Sequence, residues 1–216
     1  MAEIQVHTKP AYTVKIGDGI LSQCGPTIRQ VSSAEKAVVI TDDHVNPLYG
    51  NSVLSSLRDA GFETELFVFP HGESSKSHHT LVHMYDFLCE KKVTRSDLLI
   101  ALGGGVVGDI TGFCAATFLR GLDYIQLPTT FLAQIDSSVG GKTAIDIAGG
   151  KNLVGAFKQP RLVLCDIATL STLPRDVFAD GVAEAIKYGM IKSANIFNII
   201  SNGELHQNLS QVIYEC

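Results

Sequence analysis

The sequence predicts an α/β fold, in which a Rossmann-like, mostly parallel sheet with flanking helices is followed by the beginning of an all-helical domain. Short apolar runs rich in β-branched residues alternate with longer stretches of helical period, which is the pattern of βα units. One of these runs continues into three consecutive glycines and a helix, and after about Thr172 the strand pattern stops. We therefore expect an α/β domain over residues 1–172 and the start of a helical domain over residues 173–216.

Five apolar runs are predicted to be strands of the sheet. They lie at residues 36–41, 65–69, 97–102, 124–127 and 161–166, and a sixth run, "YTVKI" at 12–16, is expected to add an edge strand. Apolar residues three and four positions apart mark two helices between them, with Leu81, Met84, Tyr85 and Leu88 in one and Val106, Ile110 and Phe113 in the other.

The segment from Pro174 to Cys216 predicts consecutive helices. Apolar positions on these helices are expected to pack against further helices and, without them, to form an exposed, sticky face that self-associates; they include Ile196, Ile199, Ile200 and Val212. His206, in the last of these helices, is expected to be a free surface residue.

The composition is that of an ordinary globular protein, with 216 residues, 45% hydrophobic, 18% charged and a net charge of -5. Lysines and arginines are scattered, which argues against nucleic acid or an anionic membrane as a partner. The first residues lack an apolar signal segment and no apolar run reaches the ~18 residues of a membrane span, so we expect a cytoplasmic location. The five cysteines have no CxxC spacing and predict buried, free thiols.

The stretch "LLIALGGGVVGDITGF" predicts a phosphate-binding turn. Gly103, Gly105 and Gly108 satisfy GxGxxG between a strand and a helix. Missing Cβ atoms let a backbone approach a pyrophosphate, and the helix N-terminus offers free N–H groups to it. A tight glycine turn without a ligand is the alternative. These glycines follow about the fourth strand, so the domain is not a standard Rossmann domain, whose glycines follow the first.

Two polar positions at predicted strand ends suit a dinucleotide. Asp42 follows "KAVVIT" and would hold ribose hydroxyls, favouring NAD over NADP because a 2′-phosphate would be repelled; helix capping explains it equally well. Glu73 and Lys76 follow "ELFVF" and suit a ribose or adenine contact, although a solvated loop explains them nearly as well. His79 and His83 lie four apart, but no third ligand accompanies them, so an exposed helix face is expected there.

The stretch "FLAQIDSSVGGKTAID" ends like a phosphate-binding P-loop. Gly141, Lys142 and Thr143 match the end of GxxxxGK[ST], but Asp136 stands where the first glycine is required. The pattern therefore fails as a nucleotide P-loop, while Gly140, Gly141 and Lys142 still suit an anion.

Taken together, "LGGGVVGDITGFCAATFLRG", "LPTTFLAQIDSSVGGKTAID", "GKNLVGAFKQP" and "GVAEAIKYG" resemble the 3-dehydroquinate synthase family of sugar-phosphate cyclases along essentially the whole chain. The resemblance implies NAD and a divalent metal, Zn²⁺ or Co²⁺, as cofactors. It implies a shikimate-pathway lyase that converts 3-deoxy-arabino-heptulosonate 7-phosphate to 3-dehydroquinate and releases phosphate. Transient oxidation, phosphate elimination, hydride return and ring closure make up that reaction, and the anion at Lys142 would be the substrate's phosphate.

The resemblance also implies roles for individual residues. The catalytic positions it implies are Lys142, Asn152, Asp136, Lys187 and Arg120, with Asp136 accepting hydrogen bonds from hydroxyls and Arg120 reaching a neighbouring subunit's substrate in a homodimer. The cofactor-binding positions it implies are Asp42, Glu73, Lys76, Gly104, Gly105, Val106, Val107, Gly108, Asp109, Thr129, Thr130, Lys142, Lys151, Thr169, Leu170, Ser171 and Thr172. His44 departs from the asparagine often found near that position.

Glu184 matches the family's first metal ligand, with Lys187 one turn later; without the motif, a surface ion pair would be the favoured interpretation. Relatives continue into a helical domain with two histidine ligands, so these 216 residues are expected to be an incomplete, inactive portion. Three alternatives remain: another sugar-phosphate cyclase, an alcohol or glycerol dehydrogenase with a related glycine loop, and a non-catalytic NAD-binding fragment.

Overall fold

The computed structural model describes all residues, 1–216. The strands are β1 (Ala2–Val6), β2 (Tyr12–Gly17), β3 (Lys36–Asp42), β4 (Glu63–Phe69), β5 (Leu98–Gly103), β6 (Asp123–Pro128), β7 (Lys142–Ile147), β8 (Gly150–Phe157) and β9 (Leu162–Asp166). The helices are α1 (Cys24–Arg29), α2 (Asn51–Asp59), α3 (His78–Glu90), α4 (Gly105–Thr117), α5 (Arg175–Ile191), α6 (Ala194–Ser201) and α7 (Leu209–Glu215). All five predicted strands are present, and no strand follows Pro174, so the predicted α/β class is confirmed.

Seven strands form one sheet in the order β1-β2-β9-β6-β5-β3-β4, and only the β1–β2 pair is antiparallel. β2 is therefore not the edge strand that "YTVKI" predicted, because β1 pairs with its outer side. β1 alternates between half-buried and exposed residues and lacks the apolar run that marks the inner strands.

The central strands are covered on both faces. Every residue of β5 is buried, and alternate residues of β3, β5 and β6 belong to two different hydrophobic clusters, one with α3 and α4 and the other with α1 and α2. Because successive strand side chains point to opposite faces, helices cover each side of the sheet. This burial on both faces explains why the central strands are continuous apolar runs in the sequence.

The β7–β8 hairpin is absent from the sequence-based prediction. It forms a separate two-stranded sheet, and β8 is exposed at seven of its eight positions. Such a strand shows neither a buried apolar run nor a clean alternation, so its sequence carries no strand signal. Its partner β7 is anchored by Thr143, Ala144 and Ile145, which are buried and lie close to α4.

The C-terminal helices pack against the part of the sheet that contains β2 and β9. Ile196, Ile199 and Val212 are buried in one cluster with β2 and β9 residues, and Ile200 packs against that cluster. The expected sticky face at these four residues is therefore wrong, since they pack into a cluster with β2, β9 and neighbouring helical residues. Exposed apolar side chains lie elsewhere on these helices, at Met190, Ile191, Phe197 and Tyr214.

The prediction that all five cysteines are buried is confirmed only in part, and His206 lies at the surface. Cys24, Cys114 and Cys165 are buried free thiols as expected, whereas Cys89 is exposed and Cys216 is half-buried. His206 is exposed, and its ring stacks on Phe178 with centroids 5.1 Å apart. None of the helices combines the length and apolar character needed to cross a bilayer.

Gly181→Ala is expected to destabilise the protein by about 1–3 kcal/mol, because α5 docks closely at this glycine. A Cβ there would lie 2.7 Å from the backbone nitrogen of Leu132 and from Phe131 Cβ. Urea denaturation measures the effect. Gly149→Ala is the control, since its Cβ would meet no heavy atom nearer than 3.6 Å. Equal free energies of unfolding for the two variants would contradict the close docking of α5.

Candidate functional site

The carboxyl ends of the parallel strands share one edge of the sheet. After β3 the chain adds β4 on one side, and it then returns to place β5 on the other side of β3. The order reverses between β3 and β5, and ligands of open α/β sheets bind at such a switch point. Asp42 ends β3 and Gly103 ends β5, so two separately predicted features lie on adjacent strands.

The glycine turn leaves α4 with an open N-terminus. Gly104 precedes the helix in an extended conformation, and no side chain caps the first turn. A Cβ on Gly104 would lie 2.9 Å from Thr130 Cγ2, and one on Gly105 would lie 3.1 Å from Ser137 Oγ. The backbone therefore packs closely against these side chains, and the uncapped N–H groups of α4 can donate hydrogen bonds to an anion.

Other positions around the turn have different environments. Gly108 allows α4 to approach β6, because a Cβ there would lie 2.5 Å from Gln126 Oε1. Val107 is fully buried in the core, while Val106 is half-buried. The side chain of Val107 therefore serves packing.

The two threonines after β6 differ in their hydrogen bonding. Thr130 Oγ1 accepts a hydrogen bond from the Ala133 N–H at 3.2 Å. Thr129 is 3% exposed, and its hydroxyl has no partner within the protein. Because an unpaired buried hydroxyl carries a desolvation cost, Thr129 is a candidate for a ligand contact.

A cavity of about 480 Å³ opens between Asp109 of α4, the Asp136–Ser137 segment and the β7–β8 hairpin. Its lining includes four of the predicted site residues, Asp109, Asp136, Lys142 and Asn152. Ser137 and Thr143 also line it and were missed by the sequence interpretation, although both lie inside the quoted motif. The cavity thus combines carboxylates, an ammonium group, an amide and hydroxyls.

Lys76 forms the centre of a buried polar network beside this cavity. It is 5% exposed, its Nζ pairs with Asp109 Oδ2 at 2.5 Å, and it donates a hydrogen bond to Asn152 Oδ1 at 2.5 Å. Burial raises the pKa of Asp109 above its ordinary value, and the contact with Lys76 opposes that rise. Since Asn152 Oδ1 accepts from Lys76, the amide NH₂ is left as a donor.

The backbone of Lys76 also contacts the tip of the β7–β8 hairpin. The Asp146 N–H donates to the Lys76 carbonyl at 2.7 Å, and Asp146 Oδ1 accepts from the Asn152 N–H at 2.8 Å. Asn152 has a left-handed backbone with φ of 57°. Outside this network, Lys151 pairs with Glu73 at 3.1 Å on the surface. The predicted residues Glu73, Lys76, Lys151 and Asn152 therefore form two pairs, Lys76 with Asn152 and Lys151 with Glu73.

Asp136 is oriented by a residue that the sequence interpretation did not single out. Tyr188 donates its hydroxyl to Asp136 Oδ1 at 2.8 Å. Burial raises the pKa of Tyr188, and the adjacent Asp136 carboxylate raises it further. Tyr188 directly follows Lys187 in "AIKYG", so its motif was recognised although its contact was not.

Glu184 and Lys187 form an ion pair on α5 at 2.5 Å. The surface ion pair considered for these residues is therefore present. Glu184 does not belong to any group of three histidine, cysteine or acidic side chains that converge within metal-binding distance. These residues alone do not make a three-ligand zinc site.

The Asp42 carboxylate makes capping contacts. Its Oδ1 accepts from the N–H groups of His44 and Val45, at 2.9 and 2.8 Å. Capping uses one oxygen, so Asp42 can cap its loop and still present a negative charge at the end of β3.

Two further predicted groups lie outside the 480 Å³ cavity. Arg120 is exposed, with a left-handed φ of 67°. In the 3₁₀ turn Ile167–Thr172, Thr169 is buried and accepts from Gln134 Nε2 at 3.1 Å, while Thr172 bonds the Tyr49 hydroxyl at 2.6 Å. Leu170 and Ser171 line a second cavity, of about 640 Å³, on the other side of this turn.

A parallel sheet whose strand order reverses beside a glycine turn and a helix N-terminus defines a Rossmann-like α/β protein. A family model, described as the N-terminal part of 3-dehydroquinate synthase, matches residues 66–180. The chain belongs to the 3-dehydroquinate synthase family. It is 47% identical over 210 residues to a 3-dehydroquinate synthase of Clostridium acetobutylicum, covering 95% of this chain and 59% of the relative.

Solved structures of sugar-phosphate cyclases are also similar to this chain. The 2-epi-5-epi-valiolone synthase ValA of Streptomyces hygroscopicus, solved with NAD⁺ and Zn²⁺, has a TM-score of 0.81 and 28% identity over 98% of this chain and 57% of its own. A 2-deoxy-scyllo-inosose synthase, complexed with carbaglucose-6-phosphate, NAD⁺ and Co²⁺, has a TM-score of 0.80 and 26% identity over 86% and 50%. The chain thus spans between half and two thirds of these proteins.

Dehydrogenases share the fold more distantly. A glycerol dehydrogenase from Schizosaccharomyces pombe has a TM-score of 0.66 and 20% identity over 82% of this chain and 42% of its own. That likeness concerns the fold alone.

Lys76→Met is expected to destabilise the protein by about 3 kcal/mol at neutral pH, because it leaves the Asp109 carboxylate unpaired and largely buried. The folded-state pKa of Asp109 is already raised, and losing Lys76 raises it further. The loss of stability in Lys76→Met is therefore complete above the folded-state pKa that Asp109 has in the variant. It disappears as pH falls below the ordinary carboxyl pKa, where Asp109 is protonated. Urea denaturation across this pH range measures it.

The double variant Lys76→Met/Asp109→Asn is the control for that prediction. It carries no buried charge, so it is expected to recover part of the loss at neutral pH. A deficit that is independent of pH, or a double variant as unstable as the single one, would show that Lys76 acts by packing.

Proposed function

We propose that this chain is the dinucleotide-binding part of a 3-dehydroquinate synthase. The reaction converts 3-deoxy-arabino-heptulosonate 7-phosphate to 3-dehydroquinate with release of phosphate. One observation carries the proposal: Lys142, Asn152 and Asp136 line one cavity beside the glycine turn, and all belong to the family's motifs. Because the chain spans 59% of its C. acetobutylicum relative, the activity is proposed for the whole protein.

The residues around the glycine turn fit NAD. Gly104 and Gly105 carry no side chain at the turn and pack their backbone against Thr130 and Ser137. The N-terminus of α4 has no side-chain cap, and Thr129 has an unpaired buried hydroxyl. Asp42 supplies the carboxylate for ribose hydroxyls at the switch point. NAD would supply a hydride acceptor, and a hydride donor once reduced. The chain's part is to hold it against the cavity and to exclude a 2′-phosphate by the charge of Asp42.

The hairpin side of the cavity fits a phosphorylated polyol. Lys142 offers an ammonium group, and Asn152 offers the NH₂ that its contact with Lys76 leaves free. Asp136 accepts hydrogen bonds, with one oxygen already held by Tyr188, so the other can accept a substrate hydroxyl. This division answers why a carboxylate lies beside an anion site: the acid binds hydroxyls and the lysine binds the phosphate.

A divalent metal is proposed on the strength of the relatives, two of which were solved with NAD⁺ and either Co²⁺ or Zn²⁺. Glu184 is the only motif-matching ligand here and is paired with Lys187, so we derive no step through a metal from these residues. The proposal also includes a domain boundary between residues 172 and 173 and a role for Thr169–Thr172 beside the cofactor. It further includes a homodimer in which Arg120 contacts the substrate of the neighbouring subunit.

Reaction type is tested with this chain joined to the C-terminal part of the C. acetobutylicum relative. We expect phosphate release from the heptulosonate phosphate in the presence of NAD and Zn²⁺, without net NADH, whereas the 216-residue chain alone releases none. Net NADH formation from an alcohol by the joined protein would favour the dehydrogenase alternative. Substantial turnover by the short chain would overturn the role of Glu184 as one ligand among several.

Cofactor selectivity tests the Asp42 assignment. The wild-type chain is expected to bind NAD more tightly than NADP, as measured by calorimetry. Asp42→Asn keeps an oxygen to cap His44 and Val45 but removes the charge, so it should lose selectivity without losing the loop. Asp42→Ala loses both. Equal wild-type affinity for the two cofactors would contradict a ribose role for Asp42.

Lys142→Ala is expected to weaken binding of the heptulosonate phosphate by about 1.5–3 kcal/mol, since a charge-assisted contact to an anion is lost. NAD affinity should fall far less than substrate affinity. Lys151→Ala, nine positions along the same hairpin, is expected to show the opposite pattern. Equal losses of NAD and substrate affinity in Lys142→Ala would place Lys142 in the dinucleotide site instead.

A further inference from the structure

Three side chains with metal-binding atoms meet on the surface beyond the ends of β3 and β4. They belong to Asp43, His44 and His71, and one ligand atom of each lies within 4.8 Å of the other two. No other group of three histidine, cysteine or acidic residues in the protein converges in this way. All three residues are exposed, and no residue of the 480 Å³ cavity is among them.

The backbone holds the two loops in register at this point. The Asp43 N–H donates to the Phe69 carbonyl at 3.0 Å, which extends the pairing of β3 and β4 by one hydrogen bond. The His71 N–H donates to Asp43 Oδ1 at 2.8 Å, and His71 Nδ1 lies 2.8 Å from the same oxygen. The positions of Asp43 and His71 are therefore set by main-chain contacts.

His44, the third potential ligand, stacks its ring on that of His71. The imidazoles of His44 and His71 stack with centroids 3.4 Å apart and planes inclined by 17°. The backbone of His44 is fixed in turn by its N–H bond to Asp42. Two imidazoles and a carboxylate are thus collected on a short, well-anchored stretch of surface before any ligand binds.

We propose that Asp43, His44 and His71 form a binding site for a divalent first-row transition metal of the Ni²⁺ or Zn²⁺ class. Imidazole nitrogens favour these ions over Mg²⁺ and Ca²⁺, which prefer oxygen ligands, and the carboxylate adds a negative charge. Water completes the coordination, because the side chains are open to solvent. The site is separate from Glu184 and does not depend on the proposed function.

Metal binding exchanges one set of contacts for another. The hydrogen bond between the His71 ring and Asp43 gives way to metal–ligand bonds. The nearly parallel imidazoles turn out of their stack, because their in-plane lone pairs do not converge while stacked. Both rings are exposed, so the core does not obstruct that rotation.

The pair His79 and His83 on α3 is the competing site within this protein. Their rings lie 4.2 Å apart, one helical turn from each other, but no third ligand joins them. Two neutral ligands without a carboxylate bind a divalent cation less strongly than two with one. The pair therefore supplies a matched control, since it has the same ligand type and is equally exposed.

The test is calorimetric titration of the 216-residue chain with NiCl₂ in a buffer that does not coordinate metals. A Cys89→Ser background removes the exposed thiol. We expect one saturable site, and His44→Ala, His71→Ala and Asp43→Asn should each weaken it about tenfold or more. Asp43→Asn keeps an acceptor for the His71 N–H. His79→Ala should leave the affinity unchanged.

Nuclear magnetic resonance locates the ion independently of affinity. Paramagnetic Ni²⁺ should broaden the imidazole signals of His44 and His71 first, while those of His7 and His206 stay sharp. The proposal is overturned if the wild type shows no saturable binding, or if the cluster variants bind as tightly as the wild type. It is also overturned if the signals of His79 and His83 broaden before those of His44 and His71.

Discussion

The burial of β5 on both faces is the constraint on which the rest of the structure depends. No residue of this strand is exposed, so helices must cover both sides of the sheet and neighbouring strands must satisfy its backbone groups. The predicted site residues accordingly lie at or beyond the ends of the strands in the seven-stranded sheet, and not within β5. The glycine turn lies at one such end, and the hairpin, the Asp42 loop and the start of α4 gather around it.

Within that edge, Lys76 connects elements that are distant in the chain. Its ammonium group contacts Asp109 on α4 and Asn152 on the hairpin, and its carbonyl accepts a hydrogen bond from the Asp146 N–H. The charge of Asp109, which would repel a phosphate at the helix N-terminus, is balanced internally. Lys76 therefore positions its neighbours in the site, and its contact with a cofactor stays a prediction.

The sequence predicted the buried strands and the glycine turn because their causes are local: a continuous apolar run, then residues without Cβ atoms before a helix. β1 and β8 could not be predicted in this way, since exposure removes the hydrophobic pattern. The burial of Lys76 and the bond from Tyr188 to Asp136 were also inaccessible. Each depends on a partner far away in the chain, and nothing in a polar loop reveals that its lysine will be enclosed.

The exposed hairpin divides the site into parts of unequal rigidity. Gly104, Gly105 and Thr129 are anchored to central strands, whose exposure to solvent requires opening the whole sheet. Asn152 lies on β8, where Leu153 is 62% and Phe157 is 85% exposed and little apolar surface resists local opening. Backbone amides in β8 should therefore exchange hydrogen far sooner than those of β5. The part of the cavity formed by β8, which includes Asn152, can fluctuate while the surface assigned to the dinucleotide stays fixed.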